Sequence, residues 1–227
     1  MITLHNIAKS YALRGQRKHL FRGLNLHLPQ GRNLAIMGHN GAGKSTLMRL
    51  MAGSEQPDHG RITRAGRVSW PIGFAGGFNG AMTAEESIRF VARLYGAAPA
   101  RAQTEVEAFA QLGPALRQPL HSYSQGMRAR LAFGLSLAID FDLYLIDEIT
   151  AVGDAAFRAA SRAALAAKCA DRQIVMISHS PAQIAEFCDC GLLLTAQGVL
   201  YFDEIPALIA AYRGAGAAGQ APVFDMP

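Results

Sequence analysis

Residues 38–45 read Gly-His-Asn-Gly-Ala-Gly-Lys-Ser and decide the fold of this 227-residue chain. The stretch fits the pattern G-x-x-x-x-G-K-[ST], in which glycines turn successive backbone N–H groups toward one centre. It lies between an apolar run at residues 34–37 and a helical pattern that continues to Ala52, which is the context that the motif requires. We therefore predict a phosphate-binding loop that consists of Gly38, His39, Asn40, Gly41, Ala42, Gly43, Lys44, Ser45 and Thr46.

Within this loop, two side chains have separate predicted roles. Lys44 is predicted to reach the β and γ phosphates of a nucleotide, and the Ser45 hydroxyl is predicted to ligate Mg²⁺. The positive end of the following helix dipole adds to the attraction for phosphate. ATP and Mg²⁺ are therefore the expected ligands.

Polar residues follow two further apolar runs, at the points where buried strands are predicted to end. Asp147 and Glu148 follow residues 143–146, and His179 follows residues 174–177. Open α/β sheets bind ligands at the carboxyl edge of their strands, so these residues are predicted to meet the phosphate loop. Asp147 would hold Mg²⁺, Glu148 would deprotonate water, and His179 would sense the γ-phosphate. Solvated acids and a capping histidine are the alternative interpretations.

The remaining pattern predicts an α/β fold. Short β-type runs at residues 2–4 and 24–28 indicate an antiparallel β start, and later buried strands alternate with helices, which is typical of a parallel sheet. Residues 83–112 contain helical stretches with no strand between them, which indicates an inserted helical subdomain. Thr83 and Glu86 have the spacing of a capping box that starts a helix.

Composition excludes several protein classes. The chain is 50% hydrophobic and 17% charged, which is typical of a globular domain. Its longest apolar stretches fall short of the roughly 18 residues that a membrane span needs, and the first residues lack the pattern of a secretory signal. Cys169, Cys188 and Cys190 form an odd, clustered set that indicates buried thiols in a reducing compartment, although Cys188 and Cys190 could also bind a metal.

The net charge is +5, and part of the positive charge lies in a basic run that contains Arg14, Arg17, Lys18 and Arg22. Such a run could face anionic lipid or nucleic acid. The favoured interpretation is a solvated edge of a β-hairpin.

Residues 123–128 read Tyr-Ser-Gln-Gly-Met-Arg and resemble the LSGGQ signature motif of ABC-type ATPases. Ser124 and Gly126 match the motif, whereas Gln125 and Met127 depart from it. The resemblance implies that Ser124 and Gly126 bind the γ-phosphate of ATP held by another subunit, in a head-to-tail homodimer. An ordinary N-capped helix is the alternative.

The resemblance extends over residues 1–212 and implies a P-loop ATPase fold with a RecA-like parallel sheet core and an N-terminal antiparallel β subdomain. The inserted helical subdomain would cover residues 83–139, approximately, and residues 213–227 would form a flexible tail. Tyr11 matches the aromatic residue that stacks on adenine, with a core tyrosine as the alternative. Asn79 stands where most members have a glutamine, and Asp154 matches a residue that couples the two sites of the dimer.

Residues 69–78 and 147–154 are similar to the ATP-binding subunits of bacterial capsular polysaccharide exporters. This similarity implies an ATPase on the cytoplasmic face of the inner membrane, peripheral to it, with a polytopic permease as partner and no nucleic acid partner. Residues 70–95 are then expected to form the docking surface for the permease, with a packed loop as the alternative for the aromatic residues.

Other classes compete with capsule export. O-antigen and teichoic acid exporters share the second stretch, but many carry an extra C-terminal domain. A soluble ABC ATPase of DNA repair or translation would contain coiled coils or a duplicated ATPase unit. A small-molecule kinase is disfavoured because it would need neither the signature motif nor the loop at residues 151–154.

Overall fold

The computed structural model describes residues 2–13, 16–72, 78–147 and 155–214. The chain divides into two structural units, each made of more than one segment. The first unit contains Met1–Val68, Asp142–Glu148 and Gln173–Pro227, and the second contains Ser69–Phe141 and Ile149–Arg172.

The first unit contains an antiparallel sheet and a mostly parallel sheet. Its elements, in chain order, are β1 (Ile2–Leu13), β2 (Gln16–His27), β3 (Leu34–Gly38), α1 (Lys44–Ala52), β4 (His59–Arg64), β6 (Leu143–Asp147), β7 (Gln173–Ile177), α6 (Pro181–Phe187), β8 (Cys190–Thr195), β9 (Gly198–Phe202) and α7 (Ile205–Gly214). In the antiparallel sheet the order is β2-β1-β4, which confirms the antiparallel start.

The parallel sheet positions the site. Within the first unit its strand order is β6-β7-β3-β8-β9, and only the β8–β9 pair is antiparallel. Every residue of β3 is buried, and the first four residues of β6 are also buried. Strands that are covered on both faces are continuously apolar, which is why these two runs could be recognised in the sequence.

Residues 190–214 form elements that the sequence pattern did not indicate. β8 reads Cys-Gly-Leu-Leu-Leu-Thr and lies beside β3, with Gly38 opposite Leu194. A Cβ atom on Gly191 would come within 2.4 Å of Leu208 Cδ2, so the glycine lets α7 pack against the strand. The α7 helix ends at Gly214, two residues beyond the end that the sequence predicted for the ATPase domain.

The second unit is mainly helical in its described residues. Its elements are β5 (Val68–Ile72, from its second residue), α2 (Ala84–Leu94), α3 (Pro99–Ala110), α4 (Gln125–Ala138) and α5 (Ala155–Cys169). Phe109 stacks on Phe133, with a ring centroid distance of 5.4 Å, and both rings contact Phe157. This unit begins at Ser69 and includes α5, so it is larger than the subdomain predicted for residues 83–139.

The predicted capping box at the start of α2 is confirmed. The Thr83 hydroxyl accepts a hydrogen bond from the Glu86 N–H, and the Glu86 carboxylate accepts one from the Thr83 N–H at 2.8 Å. The hydrogen bond to the backbone of Thr83 lowers the pKa of Glu86.

Candidate functional site

The phosphate-binding loop begins where β3 ends and is shaped by glycines. Gly38 has a φ of 152°, and a Cβ atom there would lie 2.7 Å from the carbonyl oxygen of Leu194. Gly43 caps α1 with a φ of 105°, without a side-chain hydrogen bond to the helix. These two positions therefore exclude larger residues, and the chain passes from the loop into α1 without a side-chain cap from Gly43.

Lys44 is held across the loop. Its Nζ atom donates hydrogen bonds to the carbonyl oxygen of Gly38 at 2.7 Å and to that of His39 at 3.2 Å. The residue is only 9% exposed. Because the first turn of α1 reads Lys-Ser-Thr-Leu, the local charge is positive, which favours an anionic ligand at this helix end.

A cavity of about 470 Å³ opens beside this loop. The sequence-predicted residues that line it are Tyr11, Asn40, Gly41, Gly43, Lys44, Ser45, Thr46, Asp147 and His179. Asp147, the last residue of β6, is paired with Ile177, the last residue of β7. Asp147 and His179 therefore lie at the same edge of the sheet. The structure therefore brings the predicted loop and the two strand-end residues to one cavity.

Three predicted loop residues that the structure describes are not among those that line this cavity. Gly38 and His39 contribute the carbonyl oxygens that bind Lys44, while the His39 ring lies 5.9 Å from the Tyr212 ring. Ala42 packs against the core of the first unit. Glu148 and Asp154 lie outside the described residues.

Three residues that line the cavity were missed by the sequence interpretation: Lys18, Leu20 and Ile177. Lys18 lies opposite Tyr11 in the β1–β2 ladder, and its Nζ atom donates to the Gly41 carbonyl oxygen at 3.2 Å. The hairpin interpretation of the basic run is confirmed for the described residues 16–22, but Lys18 faces the phosphate-binding loop. The hairpin register is the signal that could have found it.

Magnesium fits the donors in the cavity. The Ser45 hydroxyl and the Asp147 carboxylate both line it, and both provide oxygen atoms. Mg²⁺ prefers oxygen ligands and commonly takes one or two from a protein, with phosphate and water completing the shell. Nucleotide phosphates in the same cavity would supply the remaining ligands.

In the second unit, the predicted signature residues lie at a helix end. Ser124 caps α4, because its Oγ atom accepts a hydrogen bond from the Met127 N–H at 3.2 Å. Ser124 and Gln125 are exposed, and Gly126 is half-buried. The capped helix is therefore confirmed, and binding of phosphate by this helix stays a prediction.

Asn79 has a local role in the structure. Its Oδ1 atom accepts from the Ala81 N–H at 3.1 Å, and its carbonyl oxygen accepts from the Met82 N–H at 3.1 Å. An asparagine that bonds to its own backbone two residues later stabilises a turn. Its predicted role toward Mg²⁺ or the γ-phosphate stays a prediction.

Two aromatic residues of the predicted docking surface, Trp70 and Tyr95, are packed against each other. Trp70 packs edge-on against Tyr95 and Phe141, at 5.2 Å in each case, and its indole N–H donates to Ser136 Oγ at 2.9 Å. Trp70 is therefore packed within the second unit, which is compatible with a docking surface, and the docking role of residues 70–95 stays a prediction. Residues 73–77, including Phe74, lie outside the described residues.

The three cysteines are buried free thiols. Burial raises the pKa of Cys169 and that of Cys188 to about 12 in each case. Both groups therefore stay protonated at neutral pH, which suits a structural role.

Comparisons with known proteins agree with this geometry. A family model described as ABC transporter matches residues 21–151, which is more than half of the chain. The chain belongs to the ABC transporter family. Membership in this family implies a nucleotide-binding ATPase domain, in agreement with the cavity beside Lys44.

Two relatives within this family match nearly the whole chain. The polysialic acid transport ATP-binding protein KpsT of Escherichia coli is 42% identical over 94% of this chain and 99% of its own length. The capsule polysaccharide export ATP-binding protein CtrD of Neisseria meningitidis is 38% identical over 90% of this chain and 95% of its own length.

A solved structure supports the fold. The ATP-binding cassette MJ0796, in a dimeric post-hydrolysis state bound to ADP and Pi, superposes with a TM-score of 0.73 at 19% identity. The match covers 90% of this chain and 99% of that one. The predicted fold class, an α/β P-loop ATPase, is therefore confirmed. Every helix in the part of the chain that the structure describes is too short or too polar to cross a membrane.

Proposed function

We propose that this chain is the ATP-hydrolysing subunit that powers export of capsular polysaccharide across the bacterial inner membrane through a separate permease. The observation that carries the proposal is the similarity over nearly the whole chain to proteins named for polysialic acid transport and capsule polysaccharide export. This similarity favours capsule export over O-antigen or teichoic acid export and over a soluble ABC ATPase. The subunit would act at the cytoplasmic face of the membrane, as a peripheral protein.

In this proposal, residues of the first unit bind ATP and activate water. Lys44 and the N–H groups at the start of α1 bind the phosphates, and Tyr11 stacks on the adenine. Ser45 and Asp147 hold Mg²⁺, which neutralises phosphate charge when it is bound. Glu148 takes the proton from water, and His179 donates a hydrogen bond to the γ-phosphate. Proximity in one cavity supports these roles for the described residues.

The proposed active form is a homodimer. An exposed helix N-terminus at Ser124 and Gly126 could bind the γ-phosphate of ATP held by a second copy. Each nucleotide would then lie between the phosphate-binding loop of one subunit and the signature helix of the other. Binding of ATP would close the dimer, and hydrolysis would release it.

The permease would dock on the exposed face of α2. Phe90 is 58% exposed and Leu94 is 66% exposed, and they lie one helical turn apart. Arg89 and Arg93 are exposed beside them. Single exposed apolar residues are common on protein surfaces, but two that are adjacent on one helix face form a small apolar patch that a partner could bind. We therefore narrow the predicted docking surface from residues 70–95 to this face of α2.

Charge substitutions on α2 test the proposal in bacteria that lack the native gene. Phe90→Glu combined with Leu94→Glu should reduce both co-purification with the permease and surface polysaccharide by about tenfold, because buried carboxylates disrupt an apolar contact. The ATPase rate of the isolated subunit should stay within about twofold of wild type, since the cavity residues are unchanged.

Two controls complete this experiment. Ala108→Glu places one such carboxylate on an exposed position of α3 and should leave export intact. Lys44→Ala should abolish export while membrane recruitment persists. If the α2 variants export normally, this surface is not where the permease binds; if the wild-type gene restores no capsule, the transport function itself is wrong.

A further inference from the structure

A charged cluster surrounds the hydroxyl of Tyr11 and is not explained by the phosphate chemistry. The Tyr11 hydroxyl donates a hydrogen bond to Glu55 Oε1. Lys9 Nζ lies 3.0 Å from the same oxygen, and Arg49 Nε donates to Glu55 Oε2 at 2.9 Å. The Glu55 side chain is only 17% exposed, so one carboxylate joins the tyrosine to two cations.

Glu55 is positioned by α1, the helix that follows the phosphate-binding loop. It lies in the turn after α1, where Gly53 ends the helix with a φ of 81°. The Glu55 N–H donates to the carbonyl oxygen of Arg49 at 3.3 Å, within the last turn of the same helix. Because α1 starts at Lys44, the carboxylate is fixed relative to the loop that would bind phosphate.

The cluster also connects Tyr11 directly to α1. The Tyr11 hydroxyl lies 3.3 Å from Thr46 Oγ1, and an Arg49 Nη atom donates to Thr46 Oγ1 at 3.3 Å. Lys9 Nζ lies over the Tyr11 ring, 5.3 Å from its centroid. The hydroxyl of Tyr11 therefore contacts α1, and a cation lies over its ring. The residue also lines the nucleotide cavity.

The electrostatics of the cluster favour the charged carboxylate. Burial by itself would raise the pKa of Glu55, but hydrogen bonds from Tyr11, Arg49 and Lys9 together lower it. An ionised acceptor forms stronger hydrogen bonds than a neutral one, so the contact with the tyrosine hydroxyl is strengthened. A tyrosine that only filled the core would not need a carboxylate held by two cations.

We propose that Glu55 is a positioning residue that fixes the Tyr11 ring, through its hydroxyl, at the distance from the phosphate-binding loop that an adenine nucleotide requires. The inference rests on the proposed stacking of Tyr11 on the base. A ring that is fixed before the ligand arrives loses less conformational entropy on binding, so the gain should appear in base-dependent affinity. Contacts to the phosphates should not depend on it.

The test compares ligands with and without a base. Affinities of the purified chain for ATP and for inorganic tripolyphosphate are measured by calorimetry. Glu55→Ala should weaken ATP binding by about tenfold, which corresponds to the upper end of the entropy cost of immobilising one side chain on binding, and change tripolyphosphate binding by less than about twofold. Equal weakening of both ligands, or unchanged ATP affinity, would overturn the inference.

Removing the hydroxyl tests the same contact from the other end. Tyr11→Phe keeps the ring but deletes the donor, so it should weaken ATP binding by a similar factor. In the Tyr11→Phe background, Glu55→Ala should have little further effect, because the contact is already absent. Additive losses would mean that Glu55 acts by another route. If Glu55→Ala does not fold, Tyr11→Phe decides alone, and its unchanged ATP affinity would contradict the proposal.

Two variants separate this inference from the proposed function. Asp58→Asn is the matched control, since Asp58 also lies near Lys9, at 3.5 Å, and accepts from Ser10, but its described contacts do not include Tyr11. It should bind both ligands normally. If Tyr11→Ala leaves ATP affinity unchanged, the stacking role is wrong; if Tyr11→Ala weakens it and Glu55→Ala does not, only the role of Glu55 is wrong.

Discussion

The two units hold their predicted nucleotide residues in different ways. In the first unit, Lys44 and Tyr11 form hydrogen bonds to groups that lie on a different element. In the second unit, Ser124 and Asn79 bond to backbone atoms two or three residues away. The first unit therefore builds a cavity by tertiary contacts, whereas the second presents local caps.

This difference suggests a division of labour. A cavity of fixed side chains can bind ATP within one chain, whereas an exposed helix cap gains a ligand only when another molecule supplies it. Substitutions in the first unit should therefore affect chemistry and binding within a subunit. Substitutions in the second should affect the dimer or the local fold.

The largest expected effect is in the first unit, at Glu148. Glu148→Gln should lower the ATP turnover rate by about 100-fold or more, because an amide cannot accept the proton from water. ATP binding should persist, and an ATP-bound dimer should accumulate. Steady-state hydrolysis and gel filtration with ATP measure the two effects, and near-normal turnover would remove Glu148 from the catalytic role.

The second prediction concerns the ATPase rate of a mixture of two variant chains, one altered in the first unit and one in the second. Lys44→Ala and Ser124→Arg chains should each be inactive alone, but their heterodimer contains one site with both partners intact. Random mixing should restore roughly a quarter of the wild-type rate, since half of the dimers are heterodimers with one working site. Tagged co-purification confirms that heterodimers form.

If heterodimers form and the mixture stays inactive, the signature helix does not act across the dimer. ATPase activity of the Lys44→Ala chain by itself would instead show that Lys44 is not needed for hydrolysis. The experiment thus tests whether the second unit contributes to a site on another copy of the chain.

The smallest effect concerns the local fold of the second unit. Thr83→Ala removes the cap of α2 and should lower the free energy of unfolding by about 1 kcal/mol, as other N-cap deletions do. Urea denaturation followed by circular dichroism measures it. ATP affinity should not change, and Thr83→Ser, which keeps the hydroxyl, is the control.

Acid should weaken the same cap. Since the pKa of Glu86 is lowered by its hydrogen bond from Thr83, the stability it contributes is present above the ordinary glutamate pKa and is lost as the pH falls through the lowered value. Glu86→Gln should flatten this dependence. An equal pH dependence in that variant would assign the effect to another carboxylate.

Much of the site could be predicted because its signals are local. The glycines of the phosphate-binding loop, the apolar run before Asp147 and the cap at Ser124 each depend on neighbours in the sequence. Backbone conformation and helix capping are decided within a few residues, so the residue types reveal them. The same holds for the capping box at Thr83.

The missed elements depend on distant partners. The leucine run of β8 suits a helix or a strand, and its pairing with β3 decides between them. The aromatic contacts of Trp70 with Tyr95 and Phe141 were not predicted either. Packing of this kind cannot be derived from spacing, because the contacting residues are far apart in the chain.

The sequence by itself determined the phosphate-binding loop, the strand and the helix on either side of it, and the residues that follow the apolar strands. Only the tertiary structure decided that Lys18 faces Gly41 and that Glu55 joins Tyr11 to Lys9 and Arg49. The physical reason is that a loop conformation is a property of adjacent residues, whereas a charged contact requires the hairpin register and the helix position to be fixed together.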